Sequence, residues 1–409
     1  MKLELHILQN FAPSNLNRDD AGAPKDCEFG GFRRARVSSQ CIKRSIREAF
    51  RIHKLVPLSD MGARTKRVID QVADVLVKAG RNKEVAASLV KFAIEGAGLK
   101  VGAADLKTQY LLFLPHRQID ALALLITEHW DELVNAREAH EKAEKAEKSA
   151  NGAAKKGKKA EKAAAKAAFP KELSKALLEV VSNASSTPDL ALFGRMIADR
   201  PDWNVDAACQ VAHAISTNRV GMEFDYFTAV DDFRPKDTQS SDMIGTAGFN
   251  SACFYRYAVV DVEQLTRNLG ENAPPALTRT TIEAFLKASA LAIPRGKQNS
   301  MAAQNPPNYV LAVVRRGGAP VSLVNAFLRP VRPCGDHDLV DASIDAVESY
   351  FQRISTLYGV EEITFVGCAA DRDLIGPPAS DKAVAKPITR VPSFANLVEE
   401  VVRAAAVAP

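Results

Sequence analysis

The N-terminal segment alternates apolar and polar residues, a pattern that requires the fold to contain a sheet. Leu3, Leu5 and Ile7 alternate with polar neighbours, as expected for a strand with one buried face. Residues 10–37 follow as a predicted polar loop rich in Asn, Asp and Gly. From Ser38 onward the apolar residues recur at helical spacing, and a serine hydroxyl is available to cap the first turn. The sequence therefore predicts a strand, a long loop and a capped helix.

Helical and strand-like patterns then alternate in the order typical of an α+β protein. Helices are predicted at 64–79, 83–95, 118–134, 171–183, 205–216, 281–292, 340–357 and 394–406. Thr280 and Glu283 fit a capping box for the helix at 281. Strands are predicted at 253–262 and 309–315, and alternation over 220–246 around a polar stretch predicts a long β-hairpin arm. This order predicts a split βαβ domain with a helical insertion.

The composition excludes a wholly disordered protein. The chain has 409 residues, of which 46% are hydrophobic and 25% charged, so it can bury a substantial core. Glu4 and His6 interrupt the apolar start that a signal peptide needs, and no run approaches about 18 apolar residues. We therefore expect a soluble protein of the cytoplasm.

Cysteine spacing and motif content give no support for a cofactor or an enzyme. The six cysteines lie far apart without a CxxC pair, so small buried thiols are favoured over a zinc site or a disulfide framework. The sequence contains no GxxxxGK[ST], GxGxxG, GxSxG or HExxH motif. His213 lies among apolar neighbours and is interpreted as a core histidine. We expect no cofactor, no bound metal and no catalytic residue.

Positive charge is concentrated in two segments. The formal net charge is +5, yet residues 142–166 contain nine Lys against three Glu and alone carry +6. This Lys/Ala-rich tract lacks an apolar stripe, which predicts a solvated or disordered excursion. Its charge is suited to nonspecific binding of duplex nucleic acid.

The second basic segment, residues 33–51, contains seven Lys or Arg and one acid. The polar face of its predicted helix consists of Gln40, Lys43, Arg44, Arg47 and Arg51. Ser38 and Ser39 add hydroxyls and free N–H groups at the positive end of the helix dipole, which favours a phosphate there. From helix geometry alone, a solvated basic face and a nucleic-acid interface fit this pattern equally well.

Three acids in the long loop allow a different function. Clustered carboxylates of Asp19, Asp20 and Asp26 can hold Mg²⁺ for phosphodiester cleavage. Arg18 and Lys25 lie among them, however, and can neutralise them as ion pairs, which is the favoured interpretation.

The predicted arm is rich in long apolar side chains, namely Met222, Phe224, Tyr226, Phe227, Met243 and Ile244. Such groups can stack on unpaired bases at roughly 1–3 kcal/mol each, or pack in a core or against a neighbouring subunit, which the residues alone favour. The polar loop 295–299 is a further, weaker candidate for a phosphate contact.

Longer motifs extend over most of the chain. Around the basic helix they are Leu16-Asn17-Arg18-Asp19-Asp20, Lys25-Asp26, Phe29-Gly30-Gly31 and Arg34-Ala35-Arg36-Val37-Ser38-Ser39-Gln40. Later motifs include Leu192-Phe193-Gly194-Arg195-Met196, Ala212-His213-Ala214-Ile215-Ser216-Thr217, Phe227-Thr228-Ala229-Val230-Asp231-Asp232, Ile244-Gly245-Thr246, Phe254-Tyr255-Arg256-Tyr257 and Gly296-Lys297-Gln298. In order and spacing these motifs resemble the CasC family, the backbone subunit of type I-E CRISPR Cascade.

The resemblance implies an α+β fold shaped like a right hand. Its parts are an RRM-like (ferredoxin-like) palm at 1–55, 203–216 and 249–409, helical fingers inserted at 56–202, and a thumb hairpin at 217–248. It also implies a non-enzymatic scaffold whose copies polymerise along a CRISPR RNA (crRNA), each thumb kinking the guide so that segments of bases stay available for pairing with target DNA in antiviral defence.

The resemblance also implies partners and contact residues. The partners are crRNA, target DNA, neighbouring copies, and the large, small, 5′-handle cap and hairpin-processing subunits of Cascade. The predicted contacts to the guide backbone are Arg18, Lys25, Ser38, Ser39, Gln40, Lys43, Arg44, Arg47, Lys297 and Gln298. Those that separate or flank a displaced base are Met196, Phe227, Thr228 and Ile244. The alternative is a metal-dependent target-RNA nuclease, as in the backbone subunits of type III complexes, where Asp26 lies in a comparable loop.

Overall fold

A computed structural model gives the structure of the protein over residues 1–102, 106–150, 169–183, 185–197, 200–229, 243–271, 273–373 and 386–405. Its strands are β1 (Lys2–Ser14), β2 (Asp26–Phe29), β3 (Phe32–Val37), β4 (Gly62–Thr65), β5 (Leu112–Pro115), β6 (Cys209–Val211), β7 (Ala214–Ser216), β8 (Glu223–Ala229), β9 (Met243–Asp261), β10 (Tyr309–Arg315), β11 (Ile363–Ala370) and β12 (Thr389–Arg390).

The helices complete the described elements. They are α1 (Ser39–Ile52), α2 (Val68–Lys78), α3 (Lys83–Gly96), α4 (His116–Glu128), α5 (Trp130–Ala150), α6 (Lys171–Ser182), α7 (Pro188–Phe193), α8 (Val262–Leu269), α9 (Pro275–Leu291), α10 (Gln298–Met301), α11 (Leu339–Tyr358) and α12 (Phe394–Ala404). The chain divides into a first unit of residues 1–56, 208–267 and 274–409, and a second unit of residues 57–207 and 268–273.

The first unit is built on a mostly antiparallel sheet. Its strand order is β12-β11-β10-β1-β9-β7-β3-β2, with β6 and β8 also paired to β9. Among the described strands, the short pair β11 and β12 is the parallel one. Helix α11 packs its apolar face, including Val340, Ile344 and Phe351, into a core with Tyr309 and Leu311 of the sheet. The predicted α+β fold with an RRM-like palm is confirmed.

Strand β1 differs from its prediction because it lies in the middle of the sheet, between β9 and β10. Both of its faces are buried, so Glu4 and His6 lie in the interior beside Leu3 and Leu5. Buried polar groups need partners, and Arg315 pairs with Glu4. The predicted loop at 10–37 is also partly wrong, because β1 continues to Ser14 and β2 and β3 form a hairpin within it.

Helix α1 is confirmed where it was predicted. The Ser38 hydroxyl caps it by accepting the N–H of Cys41. The stripe of Ile42, Ile46 and Phe50 is buried, which leaves the polar face of the helix directed away from the core.

The predicted helix at 205–216 is wrong. Residues 209–211 and 214–216 form β6 and β7, which pair with β9 through Cys209–Val260 and Ile215–Tyr255. Apolar residues in this short segment fit helical spacing, but hydrogen bonding to the long neighbouring strand prevails over local periodicity.

The predicted capping box at Thr280 is also wrong. Helix α9 begins five residues earlier, at Pro275, and its N-cap Pro274 makes no side-chain cap bond. Proline at the first helical position loses no hydrogen bond, since the N–H there has no partner within a helix. Thr280 therefore lies inside the helix and donates its hydroxyl to the carbonyl of Leu277.

The second unit is a helical core with a small sheet. Helices α2, α3, α4 and α6 pack around a shared apolar cluster that includes Leu89 and Leu122. Residues 62–65 form β4, which pairs with β5, so the helix predicted from residue 64 begins at Val68. Of the Lys/Ala-rich tract, residues 142–150 continue helix α5, and 151–166 lie outside the described residues.

The prediction of small buried thiols is confirmed only for some of the cysteines. Cys209, Cys253 and Cys368 are buried thiols as expected, whereas Cys334 is exposed.

None of the helices in the described ranges is long and apolar enough to span a bilayer.

Candidate nucleic-acid interface

The first turn of α1 is held by two side chains from other segments. The backbone N–H of Ser38 donates to Oδ1 of Asn17 at 2.9 Å, and that of Ser39 donates to Nδ1 of His213 at 3.1 Å. Lys25 is tied to the same region, because its N–H donates to the carbonyl of Asn17. The sequence-predicted residues Lys25, Ser38 and Ser39 therefore lie together at the positive end of the helix.

His213 does not occupy the core, which corrects the sequence interpretation. Its side chain is exposed, and Nδ1 lies 3.4 Å from Nη1 of Arg36. Partial burial and the cations Arg36 and Lys25 lower the pKa of His213. The neutral imidazole acts as an acceptor for the helix N–H, a role that the apolar neighbours in the sequence did not reveal.

Beside the second half of α1 lies a groove of about 850 Å³ within the first unit. We define the groove by six of its polar lining residues, which are Arg18, Ser45, Glu48, Arg295, Lys297 and Gln298. Three of the predicted contacts, Arg18, Lys297 and Gln298, thus converge although they are far apart in sequence.

Gly296 brings the two loops of the groove together. A side chain on this residue would overlap the backbone carbonyls of Asn15 and Leu16, so only glycine allows the approach. The contact places Arg295 and Lys297 next to the loop that contains Arg18. The glycine is therefore a positioning element of the groove.

Lys297 and Gln298 differ in their local roles. Lys297 has φ of 51°, an uncommon conformation for a residue with a side chain, and serves as N-cap of the short helix α10. Gln298 donates from Nε2 to the carbonyls of Pro294 and Ala303, at 2.9 and 3.3 Å. Gln298 thus braces the loop, and its contact with RNA stays a prediction.

The polar face of α1 is graded in exposure. Gln40, Arg44 and Arg51 are exposed, whereas Lys43 and Arg47 are half-buried. Arg44 forms an ion pair with Glu48 one turn away. The face presents cationic groups along three turns, as the sequence predicted.

The arm consists of β8 paired with the first residues of β9, in register from Glu223–Phe249 to Ala229–Met243. This confirms the predicted hairpin, whose polar stretch 231–242 lies outside the described residues. Directly paired residues share a face, so Thr228 and Ile244 lie on one face and Phe227 on the other. The ring of Phe227 covers Gly245 across the strand pair.

Two aromatic residues of the arm, Phe224 and Tyr226, were named from the sequence as groups that can stack on bases but were not among the predicted guide contacts. Phe224 and Tyr226 are 68% and 63% exposed and share the face of Thr228 and Ile244. Exposed aromatic rings on a paired strand are platforms on which bases can stack. The period-two alternation of the segment already places them on the face of Thr228, and their contact with RNA stays a prediction.

Met196 belongs to the second unit and is 83% exposed. It lines a cavity of about 530 Å³ together with Arg64, Leu111 and Phe113. The guanidinium of Arg64 stacks on the Phe113 ring at 4.8 Å. The structure therefore places Met196 at an exposed position on a cavity of its own unit that has both polar and apolar lining residues.

Two of the three acidic residues of the loop have partners in the protein. Asp26 forms an ion pair with Arg33, and Oδ1 of Asp19 accepts the N–H of Ala23. Among the described residues, no group of three or more His, Cys, Asp or Glu side chains is arranged to hold a metal ion. The hydrogen bond and the ion pair stabilise the carboxylates of Asp19 and Asp26 within the protein.

Comparison with known proteins finds similar solved structures and a matching family. A chain from the solved "CRISPR RNA-guided surveillance complex, pre-nicking" is 28% identical, with a TM-score of 0.79, over 99% of this chain and 100% of that one. A chain of another "CRISPR RNA-guided surveillance complex" shares the fold at 24% identity, with a TM-score of 0.69 over the same shares. No curated protein matches this chain. The sequence model of the CT1975-like proteins matches residues 3–395, and the chain therefore belongs to the CT1975-like protein family.

Proposed function

We propose that this chain is the backbone subunit of a Cascade-type CRISPR surveillance complex of type I-E, and that it binds crRNA without catalysing a reaction. The observation that carries the proposal is the groove beside α1. Arg18 reaches it from one loop and Arg295 and Lys297 from another, next to a helix face that is itself cationic. Such an arrangement is suited to the phosphates of a single strand.

The chemistry of this surface favours binding that ignores the guide sequence. Guanidinium and ammonium groups recognise phosphates, which are the same at every nucleotide. The exposed Phe224, Tyr226 and Ile244 of the arm offer stacking or wedging surfaces, and every base has a face that can stack. Specificity would then come from pairing between the guide and target DNA.

The comparisons support an assembly with further subunits. The full-length likeness to a chain of an RNA-guided surveillance complex covers both units, so it is not limited to a shared domain. We propose neighbouring copies along one crRNA, together with large, small, 5′-handle cap and hairpin-processing subunits, acting in the cytoplasm on target DNA.

The test is co-expression of the full chain with a crRNA, followed by purification and sequencing of any bound RNA. We expect the protein to retain the guide and to load a scrambled guide of the same length equally well. Nuclease digestion should leave protected fragments whose lengths increase in regular steps as copies are added. Protein purified free of RNA would refute the proposal.

A second measurement addresses catalysis. The loaded particle is incubated with RNA complementary to the guide, with and without Mg²⁺. We expect the complementary RNA to stay intact in both cases. Cleavage that depends on Mg²⁺ and is lost in Asp26→Asn would replace the scaffold proposal with the nuclease alternative.

A further inference from the structure

Glu48 is a carboxylate inside a surface that otherwise presents positive charge. It is the one acid among residues 33–51, it lines the groove, and its side chain is only 20% exposed. A carboxylate there repels a phosphate strand, so its place in the groove needs a physical reason.

The contacts of Glu48 supply that reason. Nε of Arg44 donates to Oε1 at 3.2 Å, and Nε of Arg295 lies 3.2 Å from Oε2. One carboxylate therefore joins an arginine of α1 to an arginine of the loop next to Gly296. In the described part of the chain, neither arginine makes a further hydrogen bond through its terminal amines, and both side chains are mostly exposed.

We infer that Glu48 is a positioning residue that holds Arg44 and Arg295 as a two-armed phosphate clamp, and that Arg295 is a guide-binding residue. The inference rests on the proposed function and adds to it a residue whose own charge opposes the ligand. An arginine held through Nε keeps its Nη donors for a phosphate oxygen. Fixing two long side chains before binding also removes part of the entropy cost of ordering them on the RNA.

The sign of one substitution separates this role from simple charge opposition. Glu48→Gln removes one negative charge and so raises the net charge of the groove by one. If Glu48 only repels the phosphates, the variant should bind RNA more tightly and with a steeper salt dependence. The clamp predicts the reverse, because the amide cannot hold two guanidinium groups. We expect binding to weaken by about tenfold, an effect the size of one charge-assisted hydrogen bond.

The measurement is the affinity of the purified full chain for an unstructured 30-nucleotide RNA at several salt concentrations. If both arginines lose their phosphates, the salt slope should fall by up to about 1.4, or 0.7 for each contact on a single strand. Arg295→Gln should weaken binding by no more than Glu48→Gln does, and it should add little to the loss from Glu48→Gln in the double variant.

Glu400→Gln is the matched control, since Glu400 also accepts from an arginine, Arg403 of α12, at 3.0 Å, but does not line the groove. It should leave RNA binding unchanged. Thermal unfolding of each variant shows whether it folds. The side chain of Arg295 is 63% exposed, so Arg295→Gln still tests the clamp if Glu48→Gln fails to fold.

Unchanged or tighter binding by Glu48→Gln, or additive losses in the double variant, would overturn the clamp while leaving the proposed function intact. A wild-type chain that does not bind RNA would overturn both.

Discussion

Arginines in the interior of the first unit and arginines beside the groove differ in what surrounds them. Arg34 and Arg256 are buried and donate to neutral acceptors, whereas Arg44 and Arg295 are exposed and share the carboxylate of Glu48. The interior acceptors are the carbonyls of Ser216, Thr217, Phe327 and Ser289 and the side chain of Gln9. Burial lowers the pKa of Arg256 to about 10, which still leaves it charged at neutral pH. Positive charge therefore stabilises the fold in one region and is presented at the surface in the other.

The largest expected effect is on stability, at Arg34. Its Nη1 donates to the carbonyls of Ser216 and Thr217, and its Nη2 to that of Phe327. Arg34→Met removes the guanidinium donor from three carbonyls in the interior, and we expect a loss of about 4 kcal/mol in the free energy of unfolding. Hydrogen exchange of β1 measures this loss, since both tryptophans, Trp130 and Trp203, lie in the second unit and report on that unit instead.

The neighbouring residue provides the control for this prediction. Arg33 pairs with Asp26 at the surface, with its side chain 58% exposed, so Arg33→Met should cost less than about 1 kcal/mol. Equal losses for Arg33→Met and Arg34→Met would show that the contrast between interior and surface arginines is wrong.

The next effect is the pH dependence that buried His6 imposes. The hydroxyl of Tyr255 lies 2.8 Å from Nδ1, and burial, with a smaller contribution from Arg315, lowers the pKa of His6 from 6.5 to about 3. The unfolded chain therefore takes up the proton first, and stability falls as the pH drops below about 6.5. We expect the wild type to lose about 2 kcal/mol relative to His6→Gln between pH 7 and pH 5.

Urea unfolding, monitored by hydrogen exchange at each pH, measures the difference in the free energy of unfolding between wild type and His6→Gln. Burial raises the pKa of Glu4, whose effect on stability has the opposite sign because stability falls as the pH rises through that value. Since Glu4 is present in both proteins, its contribution largely cancels. Parallel pH profiles for wild type and variant would contradict a neutral, buried His6.

Local signals predicted α1 and the arm, and long-range contacts explain what the sequence could not. The amphipathic spacing and the Ser38 cap act within a few residues, so the helix and its polar face followed from the sequence alone. The groove did not, because it depends on Gly296 meeting a loop some 280 residues earlier in the chain. The same reason hid the burial of Glu4 and His6, since neither residue shows that β1 lies at the centre of the sheet.

Substitutions on the polar face of α1 should change RNA binding. Lys43→Ala with Arg47→Ala removes two cations one turn apart on α1, and we expect RNA affinity to fall by about 2 kcal/mol, or thirtyfold. The salt slope should decrease by about 1.4. The matched control is Lys171→Ala with Lys175→Ala, which removes two exposed cations at the same spacing on α6. Equal effects of the two pairs would show that the protein binds RNA through net charge alone.

The smallest effect is expected at the arm and should not depend on salt. Phe224 is 68% exposed and carries no charge, so Phe224→Ala should weaken RNA binding by about 1 kcal/mol, or fivefold, through lost stacking. Phe224→Trp keeps an aromatic face and should bind like the wild type. The salt slope should be unchanged, because no phosphate contact is removed.

The length of the RNA then distinguishes stacking from contact with a neighbouring copy. A loss that is present on an RNA long enough for a single copy, and independent of protein concentration, places the aromatic face of the arm against a base. A loss confined to RNAs that hold two or more copies would assign the same face to an interface between copies. In that case the groove alone would bind the guide, and the arm would set the spacing between copies.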